Sequence, residues 1–251
     1  MEYWIWLSLL PYIGPVTANR LLEHFEDPSR VYLAKIPELI KVKGITERQM
    51  QSIAENKSLD RIREIMNSCE QNNISVLLKN DVRYPYRAKI MADAPVVLYY
   101  KGCFQNMKNP VAIVGARRCT QEAKHKAVAL AQQYTENGQT VISGMAKGID
   151  SYAHTACLNA GGYTVAVVGN GLDICYPSEH KTLMDCIAEK GLLLSEYPPG
   201  VKPSRYTFPR RNRLISAWAE HIVVIAPGKR SGALITAEYG RKYGRQVEII
   251  T

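Results

Sequence analysis

Two periodicities divide the chain. Through the first 70 or so residues apolar side chains recur at helical spacing, as in Ala18, Leu21, Leu22 and Phe25 and again in Ile62, Ile65 and Met66, which predicts short helices. From Ile74 the pattern changes to short, nearly continuous apolar runs. Those at 74–79 and 96–100 predict strands, with turn-rich stretches at 81–85 and 93–95 between them. Further runs at 111–114, 140–142, 164–168, 192–194, 221–225 and 247–250 alternate with helical stretches at about 121–137, 151–159, 178–189, 211–219 and 234–243. Apolar strands separated by helices predict a mostly parallel sheet buried on both faces, a doubly wound α/β domain. The expected organisation is a helical domain over 1–72 and an α/β domain over 73–251.

Composition adds little until it is resolved along the chain. The apolar and charged shares, 46% and 22%, are those of an ordinary globular protein and exclude disordered and fibrous classes. The apolar stretch from Trp4 to Ile13 is interrupted by Ser8 and Pro11 and has no basic leader, so neither a membrane span nor a secretory signal is expected, and the expected location is the cytoplasm. Six scattered cysteines without a CxxC pair predict reduced, mostly buried thiols and no zinc site. The net charge of +9 is unevenly placed: residues 199–251 carry 10 basic and 3 acidic groups, whereas residues 1–75 carry 9 and 10. A local excess of this kind suggests a polyanionic partner, although a basic solvated face has the same composition.

In an open parallel sheet, ligands bind beyond the carboxyl ends of the strands. The residues there are Gly115, Ala116, Arg117 and Arg118; then Ser143, Gly144, Lys147 and Gly148; then Gly169 and Gly171; and the loop 227–232 with Lys229 and Arg230. Glycine lets backbone approach a ligand, the following helix offers unpaired N–H groups, and the cations supply charge, so these loops predict a phosphate-binding ridge. No GxxxxGK motif ending in Ser or Thr occurs, and no GxGxxG follows 111–114, so nucleotide hydrolysis of the P-loop type is not expected. The stretch 202–213 interleaves Arg205, Arg211 and Arg213 with Tyr206 and Phe208, which suits phosphates clamped beside a stacked base. Two readings stand for Phe208, core or stacking ring, and Arg213 could instead pair with an acidic neighbour. His154, four residues after Asp150, reads as half of a structural hydrogen bond rather than as a metal ligand. Glu196 could be a general base or could orient a loop.

Near the N-terminus, the segments around Gly14 and Gly44 resemble helix-hairpin-helix elements, which can bind phosphate; a plain helical interaction module fits them equally. No cofactor is expected.

The ordered strings VAIVGARR (111–118), SGMAKGIDSYAH (143–154), VVGNGLDICYP (167–177), LLSEYPPG (193–200), FPRRNRLIS (208–216) and SGALITAEYGRKYGR (231–245), with Tyr84-Pro85 and the segment 95–102 before them, resemble the DprA (Smf) family of DNA-processing proteins. The resemblance implies a Rossmann-like domain preceded by a sterile-alpha-motif-like one. It implies a non-enzymatic protein that binds incoming single-stranded DNA in natural transformation, protects it and loads RecA, acting as a homodimer. It places DNA contacts on Arg117, on Arg205 and on Lys181, with Ser178 nearer the usual position of that last basic residue. Ala116 stands where the family has serine, and the 216–219 segment, Ser-Ala-Trp-Ala, departs from the family's small-Gly-Leu-Ser turn. A family member would continue beyond Thr251 through the region that carries most of the dimer and RecA surfaces, so the expectation is a chain lacking its C-terminal end. The rival reading is a nucleoside-monophosphate-cleaving enzyme of the related Rossmann group; its PGGxGTxxE motif is only partly matched by the loop from Pro227, since Ala233 replaces threonine and Glu238 comes late. Neutralising about four to six phosphates would give a log–log salt slope of roughly −3 to −4 on single strands.

Overall fold

The computed structural model describes residues 1–229 and 231–251. Contacts divide the chain into two units, Met1–Leu98 and Tyr99–Thr251. The first holds α1 (Glu2–Leu9), α2 (Pro15–Phe25), α3 (Pro28–Leu33), α4 (Ile36–Leu39), α5 (Glu47–Glu55), α6 (Asp60–Gln71), β1 (Ser75–Leu78) and α7 (Tyr86–Lys89). Local chemistry sets the ends of these helices. Asp27 caps α3, with Ser29 N donating to its carboxylate at 2.8 Å and Pro28 at the first position, and Thr46 with Gln49 forms a capping box on α5. Ile5, Leu7, Leu21, Leu39 and Ile53 are fully buried at the centre of this unit.

The sequence placed the boundary at 72/73, whereas contacts place it after Leu98. The intervening stretch is tied back to α2: Asn19 Nδ2 donates to Ala92 O and Ala94 O at 3.1 and 2.9 Å, and Lys79 Nζ donates to Asn19 Oδ1 at 2.6 Å. A buried asparagine serving residues more than 70 positions away leaves no periodic trace in sequence.

The second unit begins within β2 (Val97–Gly102) and continues through β3 (Val111–Gly115), α8 (Gln121–Glu136), β4 (Val141–Ser143), α9 (Ile149–Asn159), β5 (Thr164–Val168), a 3-10 turn (Ser178–His180), α10 (Lys181–Lys190), β6 (Leu192–Ser195), α11 (Thr207–Trp218), β7 (His221–Ile225), α12 (Gly232–Lys242) and β8 (Gln246–Ile250). Its strands lie in the order β2-β6-β5-β4-β3-β7-β8. All neighbouring pairs from β6 to β8 are parallel, and β2 alone runs antiparallel, Tyr99 facing Ser195. Every residue of β4, β5 and β6 is buried, as expected of strands covered on both faces. The doubly wound arrangement read from the alternation of strands and helices, Rossmann-like as the resemblance implied, is the one found.

Two departures bear on function. α11 begins at Thr207, four residues before the expected start, because Ser204 Oγ accepts from the backbone of Tyr206 and Thr207 at 3.3 and 3.2 Å and Pro209 is tolerated in a first turn. At its other end α11 runs through the unusual 216–219 segment as far as Trp218, whose side chain is fully buried. The cysteines are less buried than expected: Cys69 and Cys157 are buried, Cys103 is exposed, and Cys119, Cys175 and Cys186 are partly covered. No helix among the described residues is long and apolar enough to cross a membrane, and no group of three potential metal ligands occurs among them.

Candidate functional site

Strand order reverses between β3 and β7, since β4, β5 and β6 build outward on one side of β3 while β8 extends on the other. The loops leaving the carboxyl ends of β3 and β7 therefore part in opposite directions and open a crevice between them. A cleft of about 960 Å³ lies there. Its walls are the 114–118 loop after β3, the 226–229 segment after β7 with Ser231 and Gly232 at the head of α12, and residues 203–212 at the head of α11.

Backbone geometry turns the chain sharply at this edge. Ala226 takes a φ of 47° and Met145 one of 59°, left-handed conformations that non-glycine residues rarely adopt, at the ends of β7 and β4. Ser231 caps α12, its hydroxyl accepting from Ala233 N at 3.2 Å, and Asn212 Nδ2 holds Gly232 O at 2.9 Å. The positive end of α12 thus borders the cleft from a fixed position.

The exposed charge in the cleft is of one sign. Arg117, Arg118, Arg205 and Lys229 line it with exposed side chains, and the carboxylate among its described lining residues, Asp150, is buried. Arg117 also lies over the face of Phe208, 5.6 Å from the ring centre, and Phe208 lies 5.5 Å from the Tyr176 ring at 32°. Both rings border the cleft and a smaller adjoining pocket of about 60 Å³, which Lys147 and Gly169 also line. Arg205 donates to the hydroxyl of the exposed Tyr206 at 2.7 Å.

Beneath this surface lies a buried polar layer. Arg211 is 5% exposed, and its guanidinium is committed to Gly144 O, Val167 O and Asn212 Oδ1. Burial draws its pKa down to about 10, against the pull of Asp150. Burial pushes the Asp150 carboxyl up, opposed by Arg211 and by backbone N–H groups of Ala146, Gly115 and Gly144. That carboxylate therefore ties the loop after β3 to the loop after β4. His154 is fully buried and meets Thr164 Oγ1 at 2.7 Å rather than Asp150; burial first, then Arg211 and His180, lower its pKa to about 3 and keep it neutral.

Of the residues expected to hold a ligand, the structure brings Gly115, Arg117, Arg118, Arg205 and Phe208 together around the cleft, with Lys147 and Gly169 at the adjoining pocket. Others have internal duties. Ser143 is buried and donates to Ile113 O at 2.6 Å. Arg211 is inward, as above, and Arg213 is paired with Glu196 at 2.5 Å, the two side chains only 7% and 13% exposed, so neither guanidinium is offered to solvent and Glu196 is not an available base. Lys181 is exposed but pairs with Asp185 one helical turn along and lines neither pocket.

Most of the glycines likewise answer to the protein rather than to a ligand. A Cβ on Gly144 would lie 2.6 to 2.7 Å from the Arg211 guanidinium, one on Gly148 would strike Ala116 O, and one on Gly171 would strike Asp173. At Gly169 it would come within 3.1 Å of the Phe208 ring. Tyr176 was missed by the sequence reading, and its only signal was the Tyr-Pro pair closing VVGNGLDICYP. Arg230 lies outside the described residues.

The family model for DNA recombination-mediator protein A matches residues 75–251. The Smf protein of Synechocystis is 35% identical over 98% of this chain and 63% of its own length, and the DNA processing protein DprA of Streptococcus pneumoniae is 45% identical over 65% of this chain and 58% of its own. The crystal structure of the Streptococcus pneumoniae protein superposes with a TM-score of 0.84 at 33% identity, covering 100% of this chain and 87% of that one. The solved DNA processing protein A of Helicobacter pylori, described for its unique single-stranded DNA binding mode, matches with a TM-score of 0.64 at 31% identity over 70% of this chain and 80% of that one. The second unit of this chain is a doubly wound domain with a cationic crevice at its switch point. This chain belongs to the DprA family of DNA recombination mediators. It spans 63% and 58% of the lengths of the two curated relatives.

Proposed function

We propose that the second unit binds single-stranded DNA in the cleft between the β3 and β7 loops, holding it by its phosphates and doing no chemistry on it. In this reading the protein shields incoming strands during natural transformation and, as a cytoplasmic homodimer, passes them to RecA. The observation that carries it is the single sign of the cleft's exposed charge: Arg117, Arg118, Arg205 and Lys229 face a space of about 960 Å³ whose lining carboxylate is buried. Phosphate contacts supply the affinity, and the Phe208 and Tyr176 rings offer stacking faces that any unstacked base can use. Duplex DNA keeps its bases stacked and gains only the electrostatic part.

Fluorescence anisotropy with labelled single- and double-stranded oligonucleotides tests this. Single strands should bind more tightly than duplex, and Arg117→Ala and Arg205→Ala should each weaken single-strand binding by about threefold to tenfold at low salt. Unchanged binding in both variants would refute the site.

A further inference from the structure

The loop after β4 and the turn before α10 are joined by an ion pair that the binding reading does not use. Lys147 Nζ lies 2.7 Å from Glu179 Oε2. The pair spans 32 positions, unlike the neighbouring Lys181–Asp185 pair within one helical turn. Its geometry is built in: His180 Nδ1 donates to Met145 O at 3.1 Å and so fastens the turn carrying Glu179 to the loop carrying Lys147. Lys147 lines the small pocket together with Arg117, Tyr176 and Phe208, so its ammonium stands where a backbone running past Arg117 would pass. Arg117 and Arg118, by contrast, have no carboxylate within ion-pair distance among the described residues.

Resting on the single-strand reading above, we propose that Glu179 limits affinity: its carboxylate holds Lys147 in the empty cleft and yields it to a phosphate when a strand is bound. Both side chains are about half exposed, 55% and 56%, so the pair is a weak one that a phosphate can replace. The exchange leaves Glu179 as an unpaired negative charge beside the bound backbone. That residual repulsion lowers the strength of binding and favours release of the strand at moderate salt.

The test is a double-mutant cycle on the full chain, with Glu179→Gln, Lys147→Gln and the double variant, read by anisotropy with a single-stranded oligonucleotide across a salt series. Glu179→Gln should tighten binding by about threefold to tenfold at low salt and steepen the log–log slope by about 0.7, as one more phosphate contact would. Lys147→Gln should weaken binding, and in its presence Glu179→Gln should bring a smaller gain, that of the repulsion alone. No gain from Glu179→Gln, or an equal gain with and without Lys147, would overturn the proposal. Arg117→Ala separates the two levels: if it weakens binding while Glu179→Gln does nothing, only the role of Glu179 falls, and if it changes nothing the cleft reading falls with it.

Discussion

On the proposed reading, the salt dependence of strand binding counts the cations that the cleft presents, and the structure puts that count at the low end of the about four to six contacts expected from the sequence. Five cations lie in 202–213 and the loop after β3 adds Arg117 and Arg118, but Arg211 and Arg213 are turned inward. Four exposed cations, Arg117, Arg118, Arg205 and Lys229, line the cleft. At about 0.7 per phosphate on single strands, four contacts give a slope near −2.8, so affinity should fall by about 50-fold between 50 and 200 mM salt. Arg117→Ala should bring the slope to about −2.1 and that loss to about 20-fold. Arg211→Gln should leave the slope near −2.8 while lowering thermal stability, because its guanidinium serves Gly144 O and Val167 O. The assay is anisotropy over five or more salt concentrations, with circular dichroism to show that each variant is folded. A slope that is the same for Arg117→Ala and the parent chain, or one that Arg211→Gln flattens as much as Arg117→Ala does, would refute this division into outward and inward arginines.

Three further outcomes follow from the buried layer. Arg213→Met, which strands Glu196 without its 2.5 Å partner, should cost about 3–5 kcal/mol in urea denaturation. Gly148→Ala places a side chain on a residue with φ of 79° and within 2.7 Å of Arg117 O; a loss of about 1–3 kcal/mol is expected, with weaker strand binding as the 116–118 loop is pushed aside. His154 is held neutral down to about pH 3 in the folded state, whereas an unfolded histidine protonates near 6.5. Protons therefore favour unfolding between these values: the contribution is fully present above pH 6.5 and is lost as pH falls toward 3, at about 1.4 kcal/mol per pH unit. Urea midpoints measured from pH 7 to 5 should show this acid sensitivity, and His154→Asn should reduce it.

The fold was legible because its signal is local. Buried strands such as 164–168 and 221–225 are apolar throughout, and the helices between them follow their own period, so topology rules left few arrangements. What the sequence did not reveal depends on partners far along the chain. The sequence left open whether Arg213 pairs with an acidic neighbour, and only the fold brings Glu196, 17 positions earlier, against it. A glycine at a strand end fits a phosphate and a neighbouring side chain equally well as a reason for its missing Cβ, and only the fold shows that Gly144 makes room for Arg211. Tyr176 was overlooked for the converse reason: it lies in the loop after β5, and its neighbour Phe208 is at the head of α11, 32 positions on.

The bare backbone at position 169 bears on where the Phe208 ring sits. The Phe208 ring comes within 3.1 Å of where a Cβ would stand, so it packs against a residue 39 positions before it that carries no charge. A methyl group there would press on the ring, which would have to give by a few tenths of an ångström, without altering a single cation. The position of the ring and the charge of the cleft are therefore set by different residues, so that on the proposed reading either could change without the other.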